Sequence, residues 1–563
     1  MLLPLFLLLN TDTSCIVCAV QLAINCSVKI TLQEEIPMEK SYYSIYNDVL
    51  GPIMTGPSSS HSAGCARIGK TVRSLFGREI VKADVVFEQQ GSYPSTYIGQ
   101  GSNFGFTGGL LDYSTDDVRL KDAVEIAKAE GREIVFKKAP LGFKHPNQAR
   151  IDVYGDDGSV EMSVMTFSVG GGMFEITQLD GFDVMMNGGN EQIFILCDTD
   201  EGVAVAEKYL AEAGFAYTKD SQTAGTMITV KPVFGTDTAP VAELEKENGV
   251  RYVRYAKPVL SVVKRQDSTA CFYNALEAEE YNKDKNKALW QLAMDYECSY
   301  GYVTEEDVWK LTRKVMEAMR NSTKAPDVSG ENIEGLLVNP GRDMVRDVKS
   351  AKTVDTGILG NAMLAAIAVM ENSCIRNIVV ASPTAGSSGV VPAAIVNIGI
   401  QMGCSEEEIC KGLMAAGIVG VFIANQATFG GEVGACQAEN GSASAMAAAG
   451  VAQLLGGDVT QCFRAAGMAM QNMLGLICDP VAGMTEIPCI SRNVSALSNA
   501  VMSANMAMMG FNPVIPLDEV IITMGKVGQQ LPAELRCTCE GGLCKTATGC
   551  RIGALAESQR PML

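Results

Sequence analysis

The chain has 563 residues, a length that favours two or three domains. Apolar residues make up 47% of it, which excludes an intrinsically disordered protein and favours large buried cores. The formal net charge of −19 repels phosphate backbones and anionic lipids, so we expect neither nucleic acid nor a membrane as a partner. The 18 cysteines form no dense disulfide framework, and they indicate a reducing, cytoplasmic compartment.

The first 37 residues differ from the rest of the chain. Residues 2–9 (LLPLFLLL) are apolar but too short to span a bilayer. The first cationic side chain is Lys29, so the basic region of a signal peptide is missing. Residues 33–35 (Gln-Glu-Glu) can be encoded by a purine-rich ribosome-binding sequence shortly before Met38. We therefore expect residues 1–37 to be a non-native or disordered leader; a genuine hydrophobic leader is the alternative.

Residues 38–190 alternate short β-rich runs with helical runs, which predicts an α+β domain. The Gly-Asp-Asp-Gly turn at 155–158 is expected to join two paired strands. The predicted elements are a strand over 80–88, a helix over 117–130, a strand over 133–137, and the paired strands 149–154 and 159–168.

Residues 191–265 are expected to form a small unit and a linker. Residues 192–232 read strand, helix, strand, which is compatible with an ACT-like or ferredoxin-like regulatory unit. An ordinary βαβ insertion fits the same pattern, so both interpretations stay open. Residues 233–265 have the character of connecting sequence.

Residues 266–563 are predicted to form an all-α catalytic domain. Ser405 and Glu408 make a capping box at the start of one helix. Asp458 is placed to cap a second helix that runs to Asn472, and Gly475 is placed to end it. The Ala-, Ser- and Gly-rich composition of residues 442–455 permits close helix packing.

Three cysteines of this half stand out by their spacing. Cys478 and Cys489 bound the segment Cys-Asp-Pro-Val-Ala-Gly-Met-Thr-Glu-Ile-Pro-Cys, and Cys436 lies 42 residues upstream of Cys478. No histidine follows His145, so a Cys/His zinc site within this half is excluded. Three thiolates without a fourth obvious ligand suit an iron–sulfur cluster with one open iron. An open coordination position would let the metal act on a substrate.

Two loops rich in hydroxyl groups suit the binding of a small carboxylate. His61 follows three serines in Gly-Pro-Ser-Ser-Ser-His, and it is a candidate proton carrier near neutral pH. A second loop, Ser-Pro-Thr-Ala-Gly-Ser-Ser-Gly over 382–389, precedes an apolar helix. Arg492, just after Cys489, could bind a carboxylate bidentately. The alternatives are ordinary turns for both loops and a surface salt bridge for the arginine.

Taken together, these stretches resemble the iron–sulfur-dependent L-serine dehydratases (L-serine ammonia-lyases). The resemblance rests on Gly-Pro-Ser-Ser-Ser-His at 56–61, Thr-Ala-Gly-Ser-Ser-Gly at 384–389, Cys436-Gln-Ala-Glu, and the segment from Cys478 to Asn493. It covers nearly everything from residue 40 to 555. It implies that a β-type part and an α-type part are fused in one chain, and that the N-terminal domain is similar to the allosteric substrate-binding domain of some phosphoglycerate dehydrogenases.

The resemblance also implies a set of site residues. A 4Fe–4S cluster would be held by Cys436, Cys478 and Cys489. In some relatives a C-terminal cysteine folds back onto the open iron; here Cys550 and Cys544 are the candidates, without a firm choice between them. His61 is the expected general base. The expected substrate-binding residues are Ser58, Ser59, Ser60, Ser62, His145, Asn147, Thr384, Ser387, Ser388, Arg492 and Asn493.

The implied activity is conversion of L-serine to pyruvate and ammonia by a cytoplasmic, oxygen-sensitive homodimer active in amino-acid catabolism and gluconeogenesis. L-cysteine or L-threonine as substrate is the nearest alternative, and a non-enzymatic iron–sulfur sensor is the second. Pyridoxal phosphate could support the same reaction. However, no lysine adjoins the 382–389 loop, and Lys411 sits in a predicted helix. Eighteen structural thiols without a cluster would be the plainest explanation of the cysteines.

Overall fold

The N-terminal part of the protein is built on mixed β-sheets and the C-terminal part on helices. The computed structural model describes residues 40–266, 270–326 and 352–558. The expected leader, residues 1–37, lies outside the described residues, and so does much of the stretch after residue 326. The strands of the first part are β1 (Ile53–Thr55), β2 (Lys82–Glu88), β3 (Glu133–Ala139), β4 (Gln148–Tyr154), β5 (Val160–Gly170), β6 (Met173–Leu179) and β7 (Phe182–Met186).

A six-stranded sheet organises this first part, in the order β3-β2-β4-β5-β6-β7. Only β2 and β3 run parallel; the other neighbours are antiparallel. The predicted strands 80–88, 133–137, 149–154 and 159–168 are all present with shifted ends. The predicted helix over 117–130 is shorter. The helices of this part are α1 (Gly64–Phe76), α2 (Tyr93–Thr96), α3 (Ser102–Leu110) and α4 (Ala123–Ala129).

A second sheet follows, and it is antiparallel throughout. It contains β8 (Gln192–Cys197), β9 (Tyr217–Gln222), β10 (Gly225–Val230) and β11 (Val250–Ala256) in the order β11-β8-β10-β9. Helix α5 (Asp200–Glu212) begins after Thr199, whose hydroxyl accepts from Gly202 N. The sequence pattern did not predict β9, because its polar side chains are nearly all exposed and it is held by backbone pairing with β10. Strand β11 lies in the stretch expected to be connecting sequence.

Helices dominate the second half. Both predicted capping motifs are present: Ser405 opens its helix with Glu408, and Asp458 opens its helix with Gln461. The helices are α6 (Ala275–Asn282), α7 (Leu289–Tyr300), α8 (Glu305–Ser322), α9 (Ile358–Cys374), α10 (Ile398–Met402), α11 (Glu406–Gln426), α12 (Gly431–Cys436), α13 (Ser442–Leu454), α14 (Val459–Gln471), α15 (Cys489–Met508), α16 (Leu517–Gln530) and α17 (Ala547–Ser558). The small residues of α13 let it pack between α11, α14 and α15.

The start of the described chain packs into this helical half. A π-helical turn, Ile45–Val49, is fully buried in the main helical core. Glu297 of α7 accepts hydrogen bonds from Ser44 Oγ and, at 2.8 Å, from Ile45 N. Strand β1 pairs with β12 (Ile378–Val380), the one strand among the described residues of the helical half. These contacts carry the loop after β1, which contains His61, into the helical half.

One helical run among the described residues, Ala385–Met402, is long and apolar enough to cross a membrane, and the bent pair Glu406–Gln426 and Gly431–Leu454 makes a second if it counts as one span. The first run is 78% buried inside the protein. A buried core helix passes the same test, so this is weak evidence for a span.

Candidate active site

A cavity of about 690 Å³ lies where the two halves of the chain meet. Its walls come from several separate stretches of both halves. The first half contributes the serine–histidine turn and Gly170–Gly171, and the helical half contributes the start of α12 and the loop after Cys478. Residues 533–540 of the C-terminal region close one side. The cavity therefore collects the motifs that sequence spacing singled out, although they lie hundreds of residues apart.

Cysteine thiols cluster beside this cavity, and Cys478 and Cys537 line it. The Sγ atoms of Cys436 and Cys478 and a carboxylate oxygen of Glu439 all lie within 4.8 Å of one another. Cys489 begins α15 beside them, and Cys537 packs against Cys436 and Cys478 in the same apolar cluster. Soft thiolate donors of this kind suit zinc or an iron–sulfur centre. The donor set therefore fits a metal cofactor.

The thiols of this group raise one another's pKa. Hydrogen bonding with Cys436 and then with Cys537, followed by burial, raises the pKa of Cys478. Burial, and then the charge of Cys436, raises the pKa of Cys489. Grouped thiols hold their protons because several adjacent thiolates would repel one another in an apolar pocket. A bound metal reverses that preference, since it binds the deprotonated form.

Glu439 belongs to the Cys436-Gln-Ala-Glu motif, and the sequence indicates no separate role for it. Its Oε2 accepts from Thr384 Oγ1 at 2.7 Å, and its Oε1 lies 4.0 Å from Cys478 Sγ. Burial raises the pKa of Glu439 to about 7. A Cβ on Gly431 would lie 2.5 Å from Oε1, and one on Gly386 would lie 2.7 Å from Oε2. Both glycines therefore make room for this carboxylate beside the thiols.

His61 sits in a π-helical turn, Ser59–Ala63, that Ser58 caps. Ser58 Oγ accepts from the His61 backbone N at 3.2 Å. The imidazole is hydrogen-bonded on both nitrogens: Nδ1 to Ser60 Oγ at 2.9 Å and Nε2 to Ser92 Oγ at 3.3 Å. Burial lowers the pKa of His61 to about 3, so the ring is neutral at neutral pH. The cavity is thus lined by a neutral histidine whose ring is held by hydroxyl groups.

The expected substrate-binding serines divide into two groups. Ser58, Ser59 and Ser60 line the cavity. Ser62 is fully buried and donates to the carbonyls of Thr55 and Ser58, so it holds the turn together. Ser59 Oγ accepts from Ala385 N at 3.4 Å, which ties this turn to the 382–389 loop.

In the second loop only Thr384 and Gly386 line the cavity. Ser387 is fully buried and hydrogen-bonded to Thr384 Oγ1 at 3.1 Å, and Ser388 is fully buried against Met370. These two hydroxyls therefore shape the loop from behind. Direct contact between either of them and a substrate has no support in this arrangement.

Asn493 and Arg492 brace the site from outside the cavity. Asn493 Oδ1 accepts from Gly389 N, and its Nδ2 donates to the carbonyls of Gly386 and Cys489. Arg492 Nη2 forms an ion pair with Asp479 at 2.7 Å, and Nη1 lies 3.5 Å from Cys436 Sγ. Arg492 is thus committed to the cysteine loop, which argues against the expected direct role in binding a carboxylate.

His145 and Asn147 connect the first half to the cavity wall. His145 Nδ1 accepts from Asn147 N at 3.0 Å, and its ring packs near Phe167. Asn147 Nδ2 donates to Ser168 O at 3.3 Å and to Glu432 Oε1 at 3.2 Å. Glu432 lines the cavity, whereas His145 and Asn147 stand behind it.

Comparison with known proteins decides the family. The family model described as "Serine dehydratase alpha chain" matches residues 273–544. The "Probable L-serine dehydratase, alpha chain" of Bacillus subtilis (strain 168) is 35% identical over 278 residues, 49% of this chain and 93% of that one. The chain belongs to the L-serine dehydratase family.

Other relatives show how the family's two parts are arranged here. The "Probable L-serine dehydratase, beta chain" of Bacillus subtilis is 44% identical over 155 residues, 28% of this chain and 68% of that one. The "L-serine dehydratase" of Streptomyces coelicolor is 28% identical over 520 residues, 88% of this chain and 97% of that one. This member of the L-serine dehydratase family is therefore a single-chain fusion of beta-type and alpha-type parts.

In this dehydratase-family chain Cys537 packs against Cys436 and Cys478. Its backbone N donates to Cys478 O at 2.9 Å, and Cys478 N donates to Leu535 O at 2.8 Å. Of the two cysteines expected from sequence, Cys544 Sγ donates to Pro480 O at 3.0 Å and Cys550 Sγ donates to Cys544 O at 3.5 Å. Cys550 is exposed. The arrangement thus favours Cys537 over both as the tail residue at the metal-ligand group.

Arg536 also lines the cavity, and sequence reasoning missed it. Its Nε is buried and has no hydrogen-bond partner among the described residues. It precedes Cys537 in a tail segment in which the four cysteines are the conspicuous residues. Only the pairing of this segment with Cys478 brings it to the cavity.

The low pKa of His61 gives a prediction for stability. An unfolded histidine has a pKa near 6.5, whereas the folded value is about 3. Between these values the unfolded state binds more protons, so the contribution is present above about pH 6.5 and is lost as the pH falls toward 3. We expect the denaturant midpoint of the wild type to fall more between pH 7 and pH 5 than that of His61→Gln. Equal falls would show that His61 protonates freely in the folded protein.

Proposed function

We propose that this protein converts L-serine into pyruvate and ammonia. The observation that carries the proposal is the meeting of two groups in one cavity: the cysteine and Glu439 group at one end, and the neutral His61 with its serine turn facing the same space. Loss of water from serine needs both a leaving-group catalyst and a base, and these two groups are suited to those tasks. Membership of the L-serine dehydratase family supports the assignment.

We propose a 4Fe–4S cluster as the metal cofactor, with Cys436, Cys478 and Cys489 as its ligands. Three cysteine ligands and the absence of any histidine from the 146–563 sequence favour iron–sulfur over a Cys/His zinc site. When bound, such a cluster supplies Lewis acidity that assists departure of the serine hydroxyl. Cys537 is the proposed tail ligand in place of Cys544 or Cys550. An exposed iron would make the enzyme oxygen-sensitive.

His61 is the proposed general base for the Cα proton. Its ring is neutral, so it can accept a proton, and the hydrogen bonds to Ser60 and Ser92 fix its orientation. A base with a pKa near 3 holds a proton weakly. A substrate carboxylate placed beside it would raise that pKa by favouring the imidazolium form. Proton removal and loss of hydroxide give aminoacrylate, which tautomerises and hydrolyses to pyruvate and ammonia.

Substrate positioning is assigned to side chains of the cavity wall. The hydroxyl groups of Ser58, Ser59 and Ser60 offer hydrogen bonds to the carboxylate. Arg536 is proposed in place of Arg492, because it lines the cavity and its Nε has no hydrogen-bond partner among the described residues. An arginine can hold a carboxylate through two parallel hydrogen bonds.

The test is an anaerobic assay of the iron-loaded protein with L-serine, L-threonine and L-cysteine. The proposal expects pyruvate from L-serine with the highest kcat/KM of the three amino acids. A higher kcat/KM for L-cysteine or L-threonine would move the substrate to that relative of serine. No keto acid from any of the three, with the cluster intact, would favour the sensor hypothesis.

We further propose the domain limits 38–190, 191–265 and 266–563, and an ACT-like regulatory role for the middle unit. Its support is the order β11-β8-β10-β9, which is the 4-1-3-2 order of a ferredoxin-like unit with one helix replaced by the 3₁₀ segment Ala239–Lys246. Similarity of the first domain to the allosteric domain of phosphoglycerate dehydrogenases, a homodimer and a cytoplasmic location remain proposals that rest on the family resemblance.

A further inference from the structure

The positive end of an amino-acid substrate needs a partner in the cavity. An α-ammonium group carries three N–H donors and a full charge, and a buried charge is costly unless it is paired. Three carboxylates line the cavity among the described residues: Glu432, Glu439 and Glu540. Glu439 is engaged with Thr384 beside the cysteines, and Glu540 is exposed at the edge. Glu432 is the carboxylate left for this task.

Glu432 is held in place from the other half of the chain. It follows Gly431 at the start of α12, and its Oε1 accepts from Asn147 Nδ2 at 3.2 Å. Asn147 is 1% exposed and is fixed by its hydrogen bonds with Ser168 O and His145 Nδ1. The carboxylate therefore has a defined position between the first half and the helical half.

One buried acceptor close to Glu432 has no donor. Asn147 Oδ1 is buried and has no hydrogen-bond partner among the described residues. It belongs to the same amide group that donates to Glu432, so an unsatisfied acceptor lies beside a carboxylate. Buried acceptors without donors are uncommon in native structures and call for a missing donor. An ammonium group bound in the cavity supplies a positive charge and N–H donors that the carboxylate of Glu432 can accept.

We propose that Glu432, positioned by Asn147, binds the α-ammonium group of the amino-acid substrate. The inference rests on the proposed function and deepens it. It assigns the selection of α-amino acids over hydroxy acids of the same length to one carboxylate. A site built to hydrogen-bond a substrate N–H discriminates strongly against analogues that lack it, because its own polar groups are then left unpaired.

The test compares L-serine with 3-hydroxypropionate, which is serine without its amino group. 3-Hydroxypropionate is expected to act as a competitive inhibitor of the iron-loaded wild type. We expect the KM for L-serine to be lower than the inhibition constant of 3-hydroxypropionate. For Glu432→Gln we expect the KM for L-serine to rise about 10- to 100-fold, the range for loss of a charge-assisted hydrogen bond. The inhibition constant of 3-hydroxypropionate should change by less than about threefold, because that molecule makes no ammonium contact.

Glu540→Gln is the matched control, since it removes the same charge from the exposed edge of the same cavity. We expect it to leave both constants unchanged. If Glu432→Gln does not fold, Asn147→Ala tests the same contact, with a smaller rise in the KM for L-serine and no change for 3-hydroxypropionate. An unchanged KM for L-serine, or equal weakening of both molecules, would overturn the inference. Absence of pyruvate formation by the wild type would instead refute the proposed function.

Discussion

Replacement of Cys478 by alanine is expected to remove bound iron and to lower serine turnover by more than about 100-fold. Cys478 belongs to the closest group of possible ligand atoms among the described residues: its Sγ lies within 4.8 Å of Cys436 Sγ and 4.0 Å from Glu439 Oε1. Loss of even an indirect partner of a metal ligand costs 10- to 100-fold in affinity or activity, and loss of the ligand itself should cost more. Iron content and anaerobic pyruvate formation are the two measurements.

The matched control for this substitution is Cys462→Ala. Cys462 is fully buried in α14, and its thiol donates only to Gly457 O, away from the cavity. We expect that variant to lose some stability, because a small void forms in a packed helix interface, while it retains iron and turnover. Cys436→Ala and Cys489→Ala should behave like Cys478→Ala. Full iron content in any of these three variants would remove that cysteine from the ligand set.

The second large effect is expected from His61→Ala. Removal of a positioned general base costs about 10²- to 10⁴-fold in rate, so kcat should fall by that factor while iron content stays unchanged. The KM for L-serine should change little, because the serine turn and Arg536 are retained. Single-turnover pyruvate formation under anaerobic conditions measures the chemical step directly.

His145→Ala is the control for His61→Ala, because it removes the other histidine of the chain. Its ring lies behind the cavity wall and supports Asn147, so we expect a loss of less than about tenfold in kcat. Near-normal kcat for His61→Ala would contradict the assignment of the base. Glu439 would then be the next candidate for the general base, since its carboxylate can accept a proton and lies beside the thiols.

Sequence spacing predicted part of the sulfur group. Cys478, which opens one short loop, lies beside the upstream Cys436, because their motifs flank helices that pack on one another. The role of these two cysteines and of Cys489 as metal ligands stays a prediction. The capping boxes at Ser405 and Asp458 were predictable, because a cap is a contact between residues three positions apart. Such local contacts can be predicted from the sequence alone, without knowledge of the fold.

The residues that sequence reasoning missed depend on distant contacts. Glu432 reaches the cavity beside Asn147, which is 285 residues away along the chain. Arg536 reaches it through pairing with Cys478. Arg492 was expected in the substrate site because it neighbours Cys489, yet its helix turns the guanidinium toward Asp479. Proximity in sequence to a ligand does not determine which side of a helix faces the cavity.

The prediction of the domains was also limited by contacts between residues that are distant in the sequence. The β-rich and helical composition of the two halves predicted their classes. The burial of Ile45–Val49 in the helical core was not predictable, because its stabilising contacts are with Glu297 and Val262, more than 200 residues away. Strand β9 was missed because an exposed, polar edge strand lacks the alternation by which strands are recognised.

An anaerobic absorption and EPR spectrum of the purified protein, recorded with and without L-serine while pyruvate is assayed, tests the central claim most directly. The account predicts a broad iron–sulfur absorption band that L-serine perturbs, together with pyruvate formation. A cluster that ignores L-serine would contradict the proposed substrate. No cluster under strict anaerobiosis, in protein that still forms pyruvate, would contradict the proposed role of Cys436, Cys478 and Cys489.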